Sequence, residues 1–297
     1  MATLRELKGR IGSVASSEKI TGAMKMISSA KMHKAEGVIR RLTPFRDCVQ
    51  TIIANLLSSD AAVESPLTEV RPQVRKAAVV VFGSDDGLCG AYNVNIFKYL
   101  ITRLALLRKE HGESVDIEII PVGKKIAKAV AKIALTDPHL TVAEADGVNS
   151  KTDGDKVKAF GQELQQRFLS GNLDRVELVF MHYHSAGRQT ATTAEYLPLS
   201  QEALSGGEAH ESGRPYLFEP DAATIFATVL PMFLLSLMQE AFSENRASEQ
   251  AARVMAMQSA NDNAQKLLEQ LQLEYNKLRQ QGITTELLDI VGGQVRD

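Results

Sequence analysis

The chain has 297 residues, and its 34 Lys and Arg nearly balance 36 Asp and Glu, for a formal net charge of -2. That length holds one large core or two to three modules, and bulk charge this close to zero names no partner. Two cysteines, Cys48 and Cys89, offer no disulfide framework and suit a reducing compartment, while the lack of tryptophan argues against a stacking platform for single-stranded nucleic acid.

Met1 to Arg10 is charged and lacks an apolar run, so it reads as no secretory signal. Arg5, Lys8, Arg10 and the nearby serines faintly resemble an organelle transit peptide. Glu6 and Glu18 oppose that, and the segment reads as mature sequence. Leu4, Leu7, Ile11 and Val14 step by three and four, and the stripe resumes at Ile20, Met24 and Ile27 and again from Val38 to Leu56. This spacing predicts a long amphipathic helix over residues 1–58, bent or restarted at Thr43-Pro44. Nine Lys or Arg stand against three Glu before residue 42. The local charge of about +6 reads either as a solvated face or as a surface for an acidic partner.

Residues 59–75 carry two prolines and small polar residues and predict a linker. An α/β domain follows over residues 74–200. Strands are expected at Lys76–Phe82, Val115–Val122, Leu140–Ala143, Val176–Tyr183 and, as an edge, Gln189–Leu199. Helices are expected at Asn93–Lys109, Lys124–Leu135 and Lys156–Leu169. Such alternation predicts a mostly parallel, doubly wound, Rossmann-like sheet. Residues 200–215, rich in Gly, Ser, Glu and His, read as an exposed loop. Glu219-Pro220-Asp221 then starts a final helix, with proline at its first position.

That last helix, assigned to residues 219–297, organises the rest. Ala264, Leu267 or Leu268, Leu271, Tyr275 and Leu278 alternate steps of three and four, the stripe of a helix wound on another helix. No glycine and only Pro231 occur between Asp221 and Gln281, giving a rod of about 90 Å. Two rods leaving one globular domain bury their stripes most simply against each other. The fold class is therefore α/β, with a long antiparallel coiled coil of the terminal helices and the α/β domain inserted between them. Small residues (Gly22, Ala23, Ser28, Ser29 and Ala30 on one rod; Ala251, Ala252, Ala256, Ser259 and Ala260 on the other) predict a slim seam. Ala222 to Met238 reaches the lower length of a membrane span, about 17 residues. Its Thr224, Thr228, Pro231 and Ser236, with acidic flanks, read instead as a covered helix, not a transmembrane span. Methionines at 24, 26, 32, 255 and 257 give the rods a soft surface able to repack.

Candidate chemistry is sparse. Gly83-Ser-Asp-Asp-Gly-Leu-Cys-Gly90 follows a strand and precedes a helix, where α/β folds bind phosphate. It lacks P-loop and dinucleotide spacing. Asp85 and Asp86 could hold a magnesium ion for phosphoryl transfer, or the loop could be a tight turn in which Asp85 caps the helix. His182 and His184 lie on one face of a strand and could share a metal; a satisfied pair at the sheet edge is the other reading. Cys89 at a helix start could carry a lowered pKa, with no histidine at a recognisable spacing to make it a nucleophile.

Several motifs in order resemble the gamma subunit of F-type ATP synthases: Ile20-Thr-Gly-Ala-Met-Lys-Met26, the Ser84-Asp85 and Gly87-Leu-Cys-Gly90 loop, Phe218-Glu-Pro-Asp221, Ser248 to Ala264, and the ending around Tyr275, Arg279-Gln280, Ile283-Thr284 and Ile290-Val-Gly292. The resemblance runs end to end. Asp86 stands where that family's loop usually has arginine, Ala91 where a second glycine is usual, and Asn261 where threonine precedes Asp262. Gln294 to Asp297 ends in charges where related chains are often alanine-rich. The resemblance implies a rotor, with paired helices inside a ring of alpha and beta subunits and a foot on the membrane c-ring beside the epsilon subunit. Catalysis and nucleotide then belong to beta, with no cofactor, metal or catalytic residue here. By matched position, Met24 and Lys25 fall near an acidic lever of beta, and Arg279, Gln280, Thr284 and Glu286 near a beta loop. Asp85 and Asp86 sit in the foot loop. The implied location is peripheral, on the cytoplasmic face of the bacterial inner membrane. Two rival readings remain: a metal-dependent phosphoryl-transfer enzyme using Asp85 and Asp86, and a coiled-coil scaffold with an inserted hinge domain.

Overall fold

In the computed structural model, which describes residues 3–58, 64–145, 147–205 and 217–294, helix α1 spans Leu4–Leu57 and the last helix, α6, spans Ala222–Gln294. Their 54 and 73 residues correspond to about 80 and 110 Å. A capping box starts α1: Thr3 Oγ1 accepts the Glu6 N–H, and the Glu6 carboxylate accepts the Thr3 N–H at 2.8 Å. α6 starts on Asp221, whose carboxylate accepts the amide and hydroxyl of Thr224 at 2.8 and 2.7 Å. Asp221 is thus the cap, and Pro220, expected as the first helical residue, lies before it. A carboxylate fills an orphan amide, whereas proline only removes one.

α1 runs through Pro44 without the expected restart. Val49, Ile53 and Leu56 beyond it are buried, and that packing outweighs the roughly 3 kcal/mol a helix-interior proline costs. The two helices are antiparallel. Gln265 donates to the Glu18 carboxylate at 3.2 Å, Asn261 to the Glu18 carbonyl at 2.8 Å, and Arg46 pairs with Glu240 at 2.5 Å. The partner number on α6 falls as the number on α1 rises. Leu7 and Leu271 are buried in the seam, and Ala264, Leu268, Tyr275 and Leu278 are half-buried along it. Leu268, not Leu267, takes the shared stripe position. The small residues divide: Ser28 and Ala251 are buried, but Ala23, Ala30 and Ser259 face solvent. Ile20 and Ile27, expected inward, are also exposed.

Between the long helices stand β1 (Lys76–Phe82), α2 (Tyr92–His111), β2 (Asp116–Val122), α3 (Lys124–Ala134), β3 (Leu140–Val142), α4 (Asp155–Leu169), β4 (Arg175–Ser185), β5 (Arg188–Leu197) and the short α5 (Gln201–Ser205). The sheet order is β3-β2-β1-β4-β5, parallel except for β5, which returns antiparallel along β4 as an edge. Alternate residues of β1 feed two cores, as a strand buried on both faces requires. Ala77, Val79 and Val81 pack with α2 and α3, while Ala78, Val80 and Phe82 pack with α4 and the two long helices. The shaft therefore forms part of one layer of the α/β unit.

Two segments expected to be loose are not so throughout. Residues 64–75 form a strap: Leu67 is buried, Arg71 donates to the Leu173 carbonyl at 2.9 Å, and Asp174 accepts the amides of Arg75 and Lys76. Of the expected loop at 200–215, residues 201–205 are helical, and 206–215 lie outside the described residues, as do 59–63 of the linker. The apolar stretch 222–238 is amphipathic. Phe226, Leu230, Phe233, Leu234 and Met238 are buried, while Thr224, Thr228, Pro231 and Met232 are exposed. By length and composition alone α6 could cross a bilayer; its buried face lies instead against its own α/β unit.

Candidate functional site: the shaft surface and the foot loop

The turn after β1 is built by side chains reaching backward and across. Asn93, the second residue of α2, accepts the Ser84 amide at 3.1 Å and donates to Ser84 Oγ at 2.7 Å. Contrary to the expected turn, Asp85 does not cap α2. Its Oδ1 accepts the Lys124 N–H at 3.0 Å, the first amide of α3, and its Oδ2 accepts the Ser150 amide and hydroxyl at 3.2 and 2.8 Å. Asn93 occupies the α2 side, so Asp85 is free to tie two later loops to this one. Asp86 points elsewhere and pairs with Lys151 at 2.9 Å. That contact holds its carboxyl below the usual range. The two aspartates thus serve different partners. Among the described residues no group of three or more His, Cys, Asp or Glu is arranged for a metal.

Leu88 has φ +63° and is 61 % exposed, a left-handed conformation that a leucine side chain rarely adopts. Arg253 on α6 reaches the Gly87 carbonyl at 3.3 Å, and Gly90 passes close to Ala256. The foot loop is therefore seated on the shaft. Between them lies a groove of about 700 Å³, lined by Met24, Ile27, Lys31, Asp86, Leu88 and Arg246 among others. Cys89 is buried, its sulfur facing Ser84 and Asn93. His182 bonds Glu244 of α6 at 2.5 Å, and His184 bonds Thr190 at 2.9 Å. The pair is satisfied.

Met24 and Lys25 are half-buried on α1, and Met24 opens on the groove. Arg279, Gln280, Thr284 and Glu286 are all exposed on the far part of α6. Thr21 faces Asn261 across the seam, and Arg279 lies a further 18 residues along α6, about 27 Å away. The shaft thus presents these residues as two patches rather than one. Sequence reasoning missed a polar joint between foot and shaft at the end of β4. Tyr183 of β4 hydrogen-bonds Glu36 of α1, while His182 holds Glu244 of α6 and Ser248 donates to the Met181 carbonyl at 2.9 Å. Adjacent residues on a strand point to opposite faces, and here they grip both rods. The polar run His182-Tyr183-His184 at the end of an otherwise apolar strand was the available signal.

A slender two-helix shaft, longer than its α/β foot and braced to it on both rods, defines a stalk protein. A family model described as ATP synthase matches residues 3–295. The ATP synthase gamma chain of Bacteroides fragilis is 43% identical over 298 residues, covering 99% of this chain and 100% of the relative. That of Chromobacterium violaceum is 34% identical over 293 residues, covering 99% of both. A chain of the Euglena gracilis mitochondrial ATP synthase, solved as OSCP/F1/c-ring, shares the fold with TM-score 0.64 and 23% identity, covering 98% of this chain and 93% of that one. The chain belongs to the ATP synthase gamma-chain family. Its function is that of the central stalk of an F-type ATP synthase.

Proposed function

We propose that this chain works as a rotating axle with no catalytic residue or cofactor of its own. Its long helices stand within a ring of alternating alpha and beta subunits. Its foot rests on the membrane c-ring beside epsilon, peripheral to the cytoplasmic face of the bacterial inner membrane. Ion flow turns the axle, and each angle favours one beta conformation over another, so rotation shifts nucleotide affinity at sites on beta. Met24 and Lys25 meet an acidic segment of beta. Arg279, Gln280, Thr284 and Glu286 meet a beta loop farther up, and the loop with Asp85 and Asp86 sits at the top of the foot.

The observation that carries this reading is the antiparallel pairing of α1 with α6, held from Arg46–Glu240 to Glu18–Gln265. Such a pairing gives a rod stiff enough to bear torque, and α6 outruns α1 at the tip, so the rod is asymmetric. The phosphoryl-transfer reading gains nothing from Asp85 and Asp86, which bind an amide and a lysine in separate directions. The test is a Lys25→Cys variant in the purified complex, paired with a cysteine in the acidic segment of beta. Oxidation should stop ATP hydrolysis, and reduction should restore it. Continued turnover in the cross-linked complex, or a lone chain with its own turnover, would sink the proposal.

A further inference from the structure

The groove between the shaft and the foot loop, about 700 Å³, has the size of a small-ligand site. Three polar side chains on its walls are more than nine-tenths buried and have a donor to spare. Ser28 of α1 is 3 % exposed and makes no hydrogen bond among the described residues. Other hydroxyls of that helix, at Ser16, Ser17, Thr21, Thr43 and Thr51, bond back to a carbonyl one turn earlier. Gln250 of α6 is 7 % exposed, and its amide, which carries two donors, makes only a 3.4 Å bond to neighbouring Glu249. Thr152 accepts the Asn149 amide at 2.8 Å but donates its own proton to no described residue. A polar group left unpaired out of water is costly, so three of them around one cavity mark a place for a partner that accepts.

The charge around these donors has the same sense. Asp86 and Glu249 are paired with Lys151 and Arg253, which leaves the exposed Asp153 against Lys31, Lys34 and Arg246. Arg246 binds only the carbonyls of Ser150 and Thr152, and Lys31 and Lys34 make no ion pair among the described residues. Along α1 the wall then turns from Ser28, Lys31 and Lys34 to Ala35, Val38 and Leu42, and along antiparallel α6 from Gln250 and Arg246 to Phe242. Ala35 and Phe242 are buried. Spare donors and cations followed by an apolar wall select an occupant with an anionic, acceptor-rich head and an apolar tail. Water satisfies the donors but leaves the apolar wall wet.

We propose that this groove binds a single-chain carboxylate of the fatty-acid class, its head against Ser28, Lys31 and Gln250 and its chain along Ala35, Val38 and Phe242. A helix of another subunit, about 10–12 Å across with its side chains, would meet the rim lysines without reaching the buried Ser28 hydroxyl. An acyl chain is narrow enough to follow the groove to it. The site goes beyond the stalk reading and needs only α1, α6 and the loops beside them in the arrangement described.

The test is equilibrium dialysis of radiolabelled laurate, kept below its micellar concentration, against the purified full chain. One saturable site should appear, and affinity should rise about three- to fourfold for each methylene added between decanoate and laurate. Dodecylammonium should not compete. S28A should weaken laurate about fivefold and K31Q/K34Q about tenfold, and the lysine variant should bind dodecanol as the parent does. A diazirine-tagged laurate should label residues 35–42 and 239–243, in the free chain and in the assembled complex alike, and untagged laurate should block the labelling. Uptake that does not saturate, equal competition by dodecylammonium, or label confined to the exposed apolar tip of α6 around Leu287 overturns the proposal. So does labelling of the free chain that vanishes in the complex, which would make the rim a subunit contact and the groove no ligand site.

Discussion

At the scale of single residues, the foot is held by charges whose partners come from distant parts of the chain. Glu177 of β4 is fully buried, yet Arg103 of α2 grips it with bonds of 2.7 and 2.6 Å, and Arg175 adds a third at 2.7 Å. Burial pushes its carboxyl up, and the two guanidiniums more than reverse that, so it lies below the usual carboxylate range. A depressed carboxyl contributes stability that is present above its unfolded value and lost as pH falls through its folded value. Glu177→Gln removes the charge while leaving two arginines partly buried, and should cost about 3 kcal/mol. Denaturant titrations of the full chain should show that loss at pH 7 and a smaller one near pH 3. An equal difference at both pH values would mean that packing, not charge, is responsible. Asp85 teaches a related lesson. An aspartate in a strand-to-helix turn was legible as a capping residue, but which helix it caps depends on a crossover that brings α3 beside the loop.

At the scale of elements, periodicity carried most of the fold. The seven strand residues Lys76–Phe82 and the helix start at Lys124 stand where apolar runs and glycines put them. What periodicity could not settle was which face of a rod meets its partner, because a stripe and its neighbour both satisfy steps of three and four. Ile20 and Ile27 fit the pattern and are exposed, whereas Asn261 broke it and sits in the seam. Asn261 donates to the Glu18 carbonyl at 2.8 Å and to Thr21 Oγ1 at 3.3 Å, beside Gly22. A polar residue in a helical seam fixes register at some loss of stability. Asn261→Leu should leave the melting temperature nearly unchanged or raise it, yet allow the helices to slip by a turn. Disulfide trapping would read this. The pair Glu18→Cys with Gln265→Cys should form alone in the parent chain, and Glu18→Cys with Glu269→Cys should form as well in the leucine variant. Trapping of the first pair alone in both chains would remove Asn261 as the register lock.

At the scale of the whole molecule, the foot shares an apolar core with the shaft, and the end of β4 adds a polar tie to each rod. Tyr183 holds α1 through Glu36, and His182 holds α6 through Glu244. Glu244 is only 4 % exposed, and burial raises its carboxyl above the ordinary range despite the pull of His182. Its sign is opposite to that of Glu177. A raised carboxyl stabilises below its unfolded value, and that contribution is lost as pH rises through the folded value. The joint should therefore tighten on mild acidification and weaken toward neutral pH. Glu244→Gln keeps a hydrogen-bond acceptor for His182 and removes the titration. The variant should be at least as stable as the parent at pH 7, and its stability should change less between pH 5 and pH 7. In the assembled complex the stiffer joint should keep ion pumping per ATP hydrolysed at the parent value or above it. The parent chain should show the lower ratio at pH 7 and approach the variant as the pH falls. Parallel stability profiles for the two chains would show that Glu244 does not titrate in this range, and the tie to α1 through Tyr183 would then have to carry the load at every pH.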